Sequence, residues 1–348
     1  MPPPFAYDPA SAHLGEFLPP LLAGGLYVPL YVRRAITLKR EGRPVPTWRI
    51  ASFVSAIAVV VAVQLPPLDT LADEVLLAHM IQHIIIGEIA SLFIVLGLTG
   101  PMLAPLLQFR LTRPLRVLAN PAIALALWAI DLYAWHLPVL YQLAIRHDLV
   151  HALEHACLLW FGVLLWLALL GPLPKPAWFR GWASVGYVTS VRLIGAVLGN
   201  VFIWAQTVFY PIYDASDARR GLNPISDQNL AGAAMMIIQV IFTTLLLGWL
   251  FMRFAKQDEE RQALLDMAAQ RGIELSDERA ARAAAAGTAG LVRERLDSGD
   301  AERAHERGRR EATGAHEKAM DDHANGAASE ERVSQAAEHE ETRTGSVQ

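Results

Sequence analysis

Five histidines in this chain have the spacing of a metal site: His79 with His83, His151 with His155, and His136 alone. Residues four apart share one helix face, so each pair can offer two imidazole nitrogens to one ion. Imidazole suits copper, zinc, nickel and iron. Met80 lies beside His79, and Met235 and Met236 follow far downstream. A thioether would favour cuprous copper, although Met80 sits about 100° around a helix from His79. Glu154 stands between His151 and His155 and can orient an imidazole or ligate directly. Asp131 can do the former through a ligand's second nitrogen. The run His151-Ala-Leu-Glu154-His155 also matches the H-x-x-E-H pattern of inverted zinc peptidases, where the glutamate is a general base. On a helix rich in histidine that short pattern arises easily by chance.

The elements that must carry these residues are membrane spans. The chain has 348 residues, is 53 % hydrophobic and 18 % charged, and has a mean hydropathy of +0.29. Its charge is segregated: 14 of the 30 basic and 21 of the 34 acidic residues fall in 255–348. Before that, apolar runs of about 20 residues recur, long enough to cross a bilayer. The reading is an all-α integral membrane protein with seven spans, near 15–32, 50–66, 75–98, 119–137, 149–171, 182–206 and 229–253. The apolar stretch 100–108 is too short to span. Residues 1–254 form the membrane domain, and 255–348 a charged cytoplasmic tail. The tail opens as an amphipathic helix over 258–275; its later composition cannot bury enough apolar surface to order itself.

Loop charge orients the spans. The loops after spans one, three and five carry Arg33, Arg34, Lys39, Arg40, Arg43, Arg49, Arg110, Arg113, Arg116, Lys175 and Arg180. The opposite side has Arg146, Arg219 and Arg220. The N-terminus is therefore read as outside and the C-terminus as cytoplasmic, in a bacterial inner (plasma) membrane. The first apolar run lacks a preceding positive segment and reads as a retained span. Trp135, Tyr141, Trp178, Trp182 and Tyr210 fall where interface anchors belong. At the helical rise, His79 and His83 lie about 6 and 12 Å below the outer face, and His151 and His155 about 3 and 9 Å. Three helices thus deliver imidazoles to one layer. Glu88 and Arg192 fall near mid-helix, where an unpaired charge is costly, so they are expected to pair or to share a polar cavity.

Other chemistry is excluded or disfavoured. A net charge of −4 argues against a nucleic-acid partner. The single cysteine, Cys157, excludes an intramolecular disulfide and a cysteine-pair metal site. Ser226 or Asp227 is placed to cap the last helix.

Three segments together resemble the seven-span CtaG family of cytochrome c oxidase assembly factors. His79-Met80-Ile81-Gln82-His83 resembles its HMxQH element. Trp135-His136-Leu137-Pro138, Tyr141, His151 and Glu154-His155 resemble its WHLPxLY…H..EH segment. Asp227-Gln228, Leu230-Ala231-Gly232 and Met235 resemble its DQxLAGxxM element. The similarity covers roughly 14–254. It implies assembly of a haem–copper oxidase by handling copper, with the five histidines as ligands, oxidase subunits and membrane lipid as partners, and no catalysis. One departure is Met236-Ile237-Ile238-Gln239, where the family often has an aromatic-Pro-Gly run. A single-span oxidase copper chaperone that shares the name uses a cysteine pair, which this chain lacks.

Copper is favoured over zinc or haem. The competing classes are a haem-binding electron carrier, a zinc hydrolase using the H-x-x-E-H run, and a transporter relaying through Glu88, Asp131 and Arg192. An electron wire would want haem ligands near both faces. The broken short helices of many transporters are not evident.

Overall fold

The computed structural model describes residues 23–108 and 120–298, except 174, 177 and 180. The described residues are 84 % helix and contain no strand. A π-helical turn, Ala23–Tyr27, leads into α1, Val28–Arg40. Then come α2, Thr47–Val63, and α3, Leu68–Glu74. Helix α4, Leu76–Gly97, has a π-helical segment at Ile85–Ala90. It is followed by α5, Gly100–Gln108, then α6, Pro121–Trp135, and α7, Pro138–Arg146. Helix α8 is Asp148–Leu170 and α9 is Trp182–Trp204. A 3-10 turn, Pro211–Tyr213, precedes α10, Asp214–Arg220, and α11 runs from Pro224 to Gln270.

Four of these helices are long and apolar enough to cross a membrane, namely α4, α8, α9 and α11. Two bent pairs raise the number to six if each counts as one span: α2 with α3, bent by 53°, and α6 with α7, bent by 70°. Most of the expected first span, 15–32, lies outside the described residues. Both bends have a local cause. Pro66 and Pro67 interrupt the first pair. Pro138 starts α7 after an extended Leu137, a conformation proline imposes on its predecessor.

Helices α4 and α8 form the centre. Their apolar windows are 61 % and 50 % buried, against 33 % and 28 % for α9 and α11. They pack on each other, with α2 on another side of α4 and α6 and α7 against α8. Small residues allow the close approach. A Cβ on Gly162 of α8 would collide with the carbonyl oxygen of Gly87 on α4 and lie 2.8 Å from Ser91 Oγ. Without water in a bilayer, helices associate by such packing and by polar contacts. The π turn is stitched to the same partner: Trp166 Nε1 of α8 donates to the Glu88 carbonyl at 3.1 Å.

The C-terminal end of α4 is satisfied by side chains from the basic loop. Arg49 Nη1 donates to the carbonyls of Leu96 and Leu98 at 2.8 Å, and Tyr31 Oη to Gly97 at 2.8 Å. Arg34 Nη2 reaches the Pro101 carbonyl at 2.9 Å. Cations suit a helix C-terminus, so these arginines brace the fold as well as bias loop charge.

The chain divides into two compact units, the first ending at Leu250 and the second starting at Phe251; the division falls inside α11. In the second unit, α11 ends at a turn where Gly272 has φ 63°. Helix α12, Asp277–Ala286, and a helix over 289–298 follow. Leu264, Ala268, Ala280, Ala283, Ala289 and Leu296 form its core. Alanine-rich sequence thus packs here through methyl groups, where composition alone suggested little order. Residues 299–348 lie outside the described residues.

The α4–α8 contact makes a stability prediction. Gly162→Ala is expected to destabilise the protein by about 2 kcal/mol, an overpacking cost, seen as a lower melting temperature in detergent. Gly186→Ala, with nothing within 4 Å of its Cβ position, should leave melting unchanged or raise it.

Candidate metal centre

The cluster is built on the first two turns of α4 and α8 and on the end of α6. Val75 is extended (φ −138°, ψ 118°) and separates α3 from α4, so α4 presents fresh N–H groups beneath its first residues. The Asp227 carboxylate accepts two of them, from Leu76 N at 2.7 Å and Leu77 N at 3.1 Å. Asp227 therefore caps the histidine-bearing helix and not its own. Asn223 caps α11 instead, accepting from Ser226 N at 3.1 Å. The signal for a cap was visible in the sequence; the helix it serves depends on tertiary packing.

From that cap, His79 and His83 descend one face of α4, and their Nε2 atoms lie 2.8 Å apart. His151 and His155 descend α8 with ring centroids 4.3 Å apart. Across the interface, the His79 ring is 5.2 Å from His151 and 6.1 Å from His155, and His83 is 5.4 Å from His155. His136, at the end of α6, is 5.9 Å from His83. The structure thus brings all five histidines together. Four are buried and His151 is half-buried. His147 is exposed and takes no part.

Ring nitrogens without partners define the chemistry. His136 Nδ1 faces the Leu132 carbonyl at 2.7 Å. That fixes the proton on Nδ1 and leaves Nε2 with a bare lone pair. His155 Nδ1 faces Gln64 Oε1 at 3.4 Å, while Gln64 Nε2 donates to the Val60 carbonyl. His155 Nε2 is bare for the same reason. His79 Nδ1, His83 Nδ1, His136 Nε2, His151 Nε2, His155 Nε2 and both Glu154 carboxylate oxygens are buried without a hydrogen-bond partner. Glu154 Oε1 lies 3.7 Å from His83 Nε2. Each such atom costs about 1–3 kcal/mol if left unsatisfied. A cation would satisfy several at once, so the donor set fits a metal ion. Two groups have ligand atoms all within 4.8 Å of one another: His79, His83 and His155; and His79, His151 and Glu154.

An aromatic wall closes the cluster. Tyr141 of α7 lies 5.2 Å from the His79 ring and packs against Tyr210 with ring centroids 4.1 Å apart and planes tilted by 34°. Its hydroxyl bonds that of Tyr213 at 2.9 Å, and Tyr210 Oη donates to the His136 carbonyl at 2.7 Å. All three tyrosines are at most 2 % exposed, so Tyr141 and Tyr210 are site walls rather than interface anchors. The bend at Leu137-Pro138 is what turns Tyr141 back over His79. Gln228 holds the loop carrying Tyr210, accepting from Phe209 N at 2.8 Å and donating to the Thr207 carbonyl at 3.1 Å.

The supporting residues divide. Glu154 enters one candidate ligand group directly. Asp131 is buried with Oδ2 unpartnered; Leu132 O and Gln64 Oε1, not Asp131, face the histidine nitrogens that hydrogen bonds fix. Met80 is buried beside His79 on α4. The Met236 sulfur lies 3.8 Å from both Arg192 Nη1 and Asn200 Nδ2. Glu88 and Arg192 line a common cavity, and Gln239 bridges them instead of a direct ion pair. Its Nε2 donates to Glu88 Oε1 at 3.3 Å, and its Oε1 accepts from Arg192 Nη1 at 2.9 Å. Gln239 closes the run Met236-Ile237-Ile238-Gln239 noted above as a departure from the family pattern. Tyr213 and Gln64 were not legible as site residues, because nothing in their spacing marks them.

The sequence model of the cytochrome c oxidase caa3 assembly factor family (Caa3_CtaG) matches residues 29–257. That stretch holds all five histidines, Glu154, Asp227 and Gln228. No curated protein and no solved structure matches significantly. The chain belongs to this family of caa3 oxidase assembly factors.

Two predictions follow from the cap and its surroundings. Asp227→Ala is expected to cost about 0.5–2 kcal/mol, as for a lost N-cap, read as a lower melting temperature. Near it, Asp217 is buried with Oδ1 unpartnered. Burial, with Asp227 and Asp214 nearby, raises its carboxyl from 3.8 to about 6. The folded chain then holds a proton that the unfolded chain releases, so stability falls as pH rises from about 4 to 6. Asp217→Asn should raise the melting temperature above pH 6 and leave it unchanged below about pH 4.

Proposed function

We propose that this caa3 oxidase assembly factor binds copper at the histidine cluster and delivers it to an oxidase subunit. The observation that carries this reading is the burial, at one place, of five imidazole nitrogens and two carboxylate oxygens without partners. We read the chain as seven spans in a bacterial plasma membrane, N-terminus outside, with the cluster toward the outer face and 255–348 in the cytoplasm. Copper is the ion because imidazole binds it well and the enzyme being assembled is a haem–copper oxidase. The role is carriage, not catalysis.

The geometry weighs against the alternatives. A haem iron takes two imidazoles from opposite sides of a flat macrocycle, whereas His79 and His83 meet nitrogen to nitrogen at 2.8 Å. The zinc-hydrolase pattern needs His151 and His155 on one ion with Glu154 free as base. Here the two histidines fall in separate candidate groups and Glu154 supplies a ligand atom. A relay through Glu88, Asp131 and Arg192 lacks continuity: Glu88 and Arg192 are tied through Gln239, and Asp131 is not part of that chain of bonds.

The test is metal content of the purified full-length chain. Wild type is expected to hold near-stoichiometric copper after reconstitution, and His79→Ala with His83→Ala to hold little. Protons compete with the metal for imidazole, so retention should fall as pH drops through about 6.5, the ordinary histidine range. Copper retained unchanged well below pH 5, or absent from wild type altogether, would contradict the reading.

A further inference from the structure

The two candidate ligand groups share one residue and differ in access and chemistry. The first, His79, His83 and His155, is wholly buried and all nitrogen. The second, His79, His151 and Glu154, contains a carboxylate and the one half-buried histidine of the cluster. His151 lies on the first turn of α8, next to an exposed Leu149 and His147. Glu154 stands at the seam, with Oε1 3.7 Å from His83 Nε2. His79 faces both groups: its Nε2 meets His83 at 2.8 Å, and its ring lies nearly parallel to that of His151, with 26° between planes.

We propose that the cluster is two overlapping positions for a single copper ion, a docking position at His79, His151 and Glu154, reached past the half-buried His151, and a wholly buried holding position at His79, His83 and His155. This rests on the metal-binding reading above and adds a path to it. With His79 common to both, an ion crosses without losing all its ligands. The bonds to His151 nitrogen and Glu154 oxygen break as those to His83 and His155 nitrogens form. No electron moves and the ion keeps its charge. The Glu154 carboxylate stays beside the ion it has released, so its charge is not left uncompensated in an apolar interior. The carboxylate gives the docking position an oxygen ligand for an ion arriving with water around it. The all-imidazole holding position is made of three buried histidines and is suited to keeping the ion from water. Release to a partner runs the same exchange in reverse.

The experiment uses the full-length protein in detergent, with one equivalent of Cu(I) as probe and a chromophoric Cu(I) chelator as competitor. Equilibrium retention and the rates of loading and release are measured separately. His151→Gln and Glu154→Gln are expected to slow loading and release together by about tenfold or more, with retention nearly unchanged. His83→Gln and His155→Gln are expected to weaken retention by about 10–100-fold, the scale of a damaged ligand shell, while fast loading survives. His79→Gln loses both. Each position is probed by two residues, so one variant that fails to fold does not remove the test. If all five variants weaken retention alike, or if His151→Gln and Glu154→Gln leave the rates unchanged, the cluster is one position and the proposal is overturned while copper binding stands. Wild type that binds no Cu(I) overturns both.

Discussion

The structure depends on a packing choice that a fold would ordinarily avoid. Around the contact between α4 and α8, several imidazole nitrogens and one carboxylate are buried without hydrogen-bond partners. Any one of them is a tolerable loss. Together, at about 1–3 kcal/mol each, they are a substantial fraction of the 5–15 kcal/mol by which a typical domain is stable. A ligand that accepts several lone pairs at once turns that liability into binding energy, and a metal ion is the simplest such ligand.

The rest of the membrane unit reads as the means of holding those groups together. Gly87 and Gly162 let the two backbones touch, which brings the histidine faces within ligand range. The break at Val75 gives α4 its own start, and Asp227, reaching from α11, anchors that start. The bend at Pro138 swings Tyr141 over His79, where Tyr210 and Tyr213 complete a buried aromatic wall. Arg49 and Tyr31 close the other end of α4. Helices α4 and α8, more buried than α9 and α11, carry four of the five histidines.

Much of this was legible in the residues. Paired histidines four apart, on two helices starting from the same side, announce one cluster, because helical periodicity and rise leave few other places for them. The segments carrying His79 and His136 and the Asp227-Gln228 pair, which stand together in the family resemblance, also meet in space: one carries a histidine pair, one a histidine with its aromatic wall, one the cap. Other features depend on which surfaces meet. Asp227 looked like a cap for the helix it begins and serves another. Asp131 had the right depth to orient a histidine, yet a backbone carbonyl and Gln64 do that work. Tyr141 and Tyr210 had the composition of interface anchors, and only the bend and the loop fixed by Gln228 place them inside. Glu88 and Arg192 needed a partner each, and the partner proved to be Gln239 on a third helix.

The most direct test of the central claim is X-ray absorption at the copper edge on the loaded full-length protein. The account predicts a first shell of nitrogen or oxygen alone, with the outer-shell scattering characteristic of two or more imidazole rings. A first shell dominated by sulfur, or one without imidazole scattering, would place the ion elsewhere and contradict it.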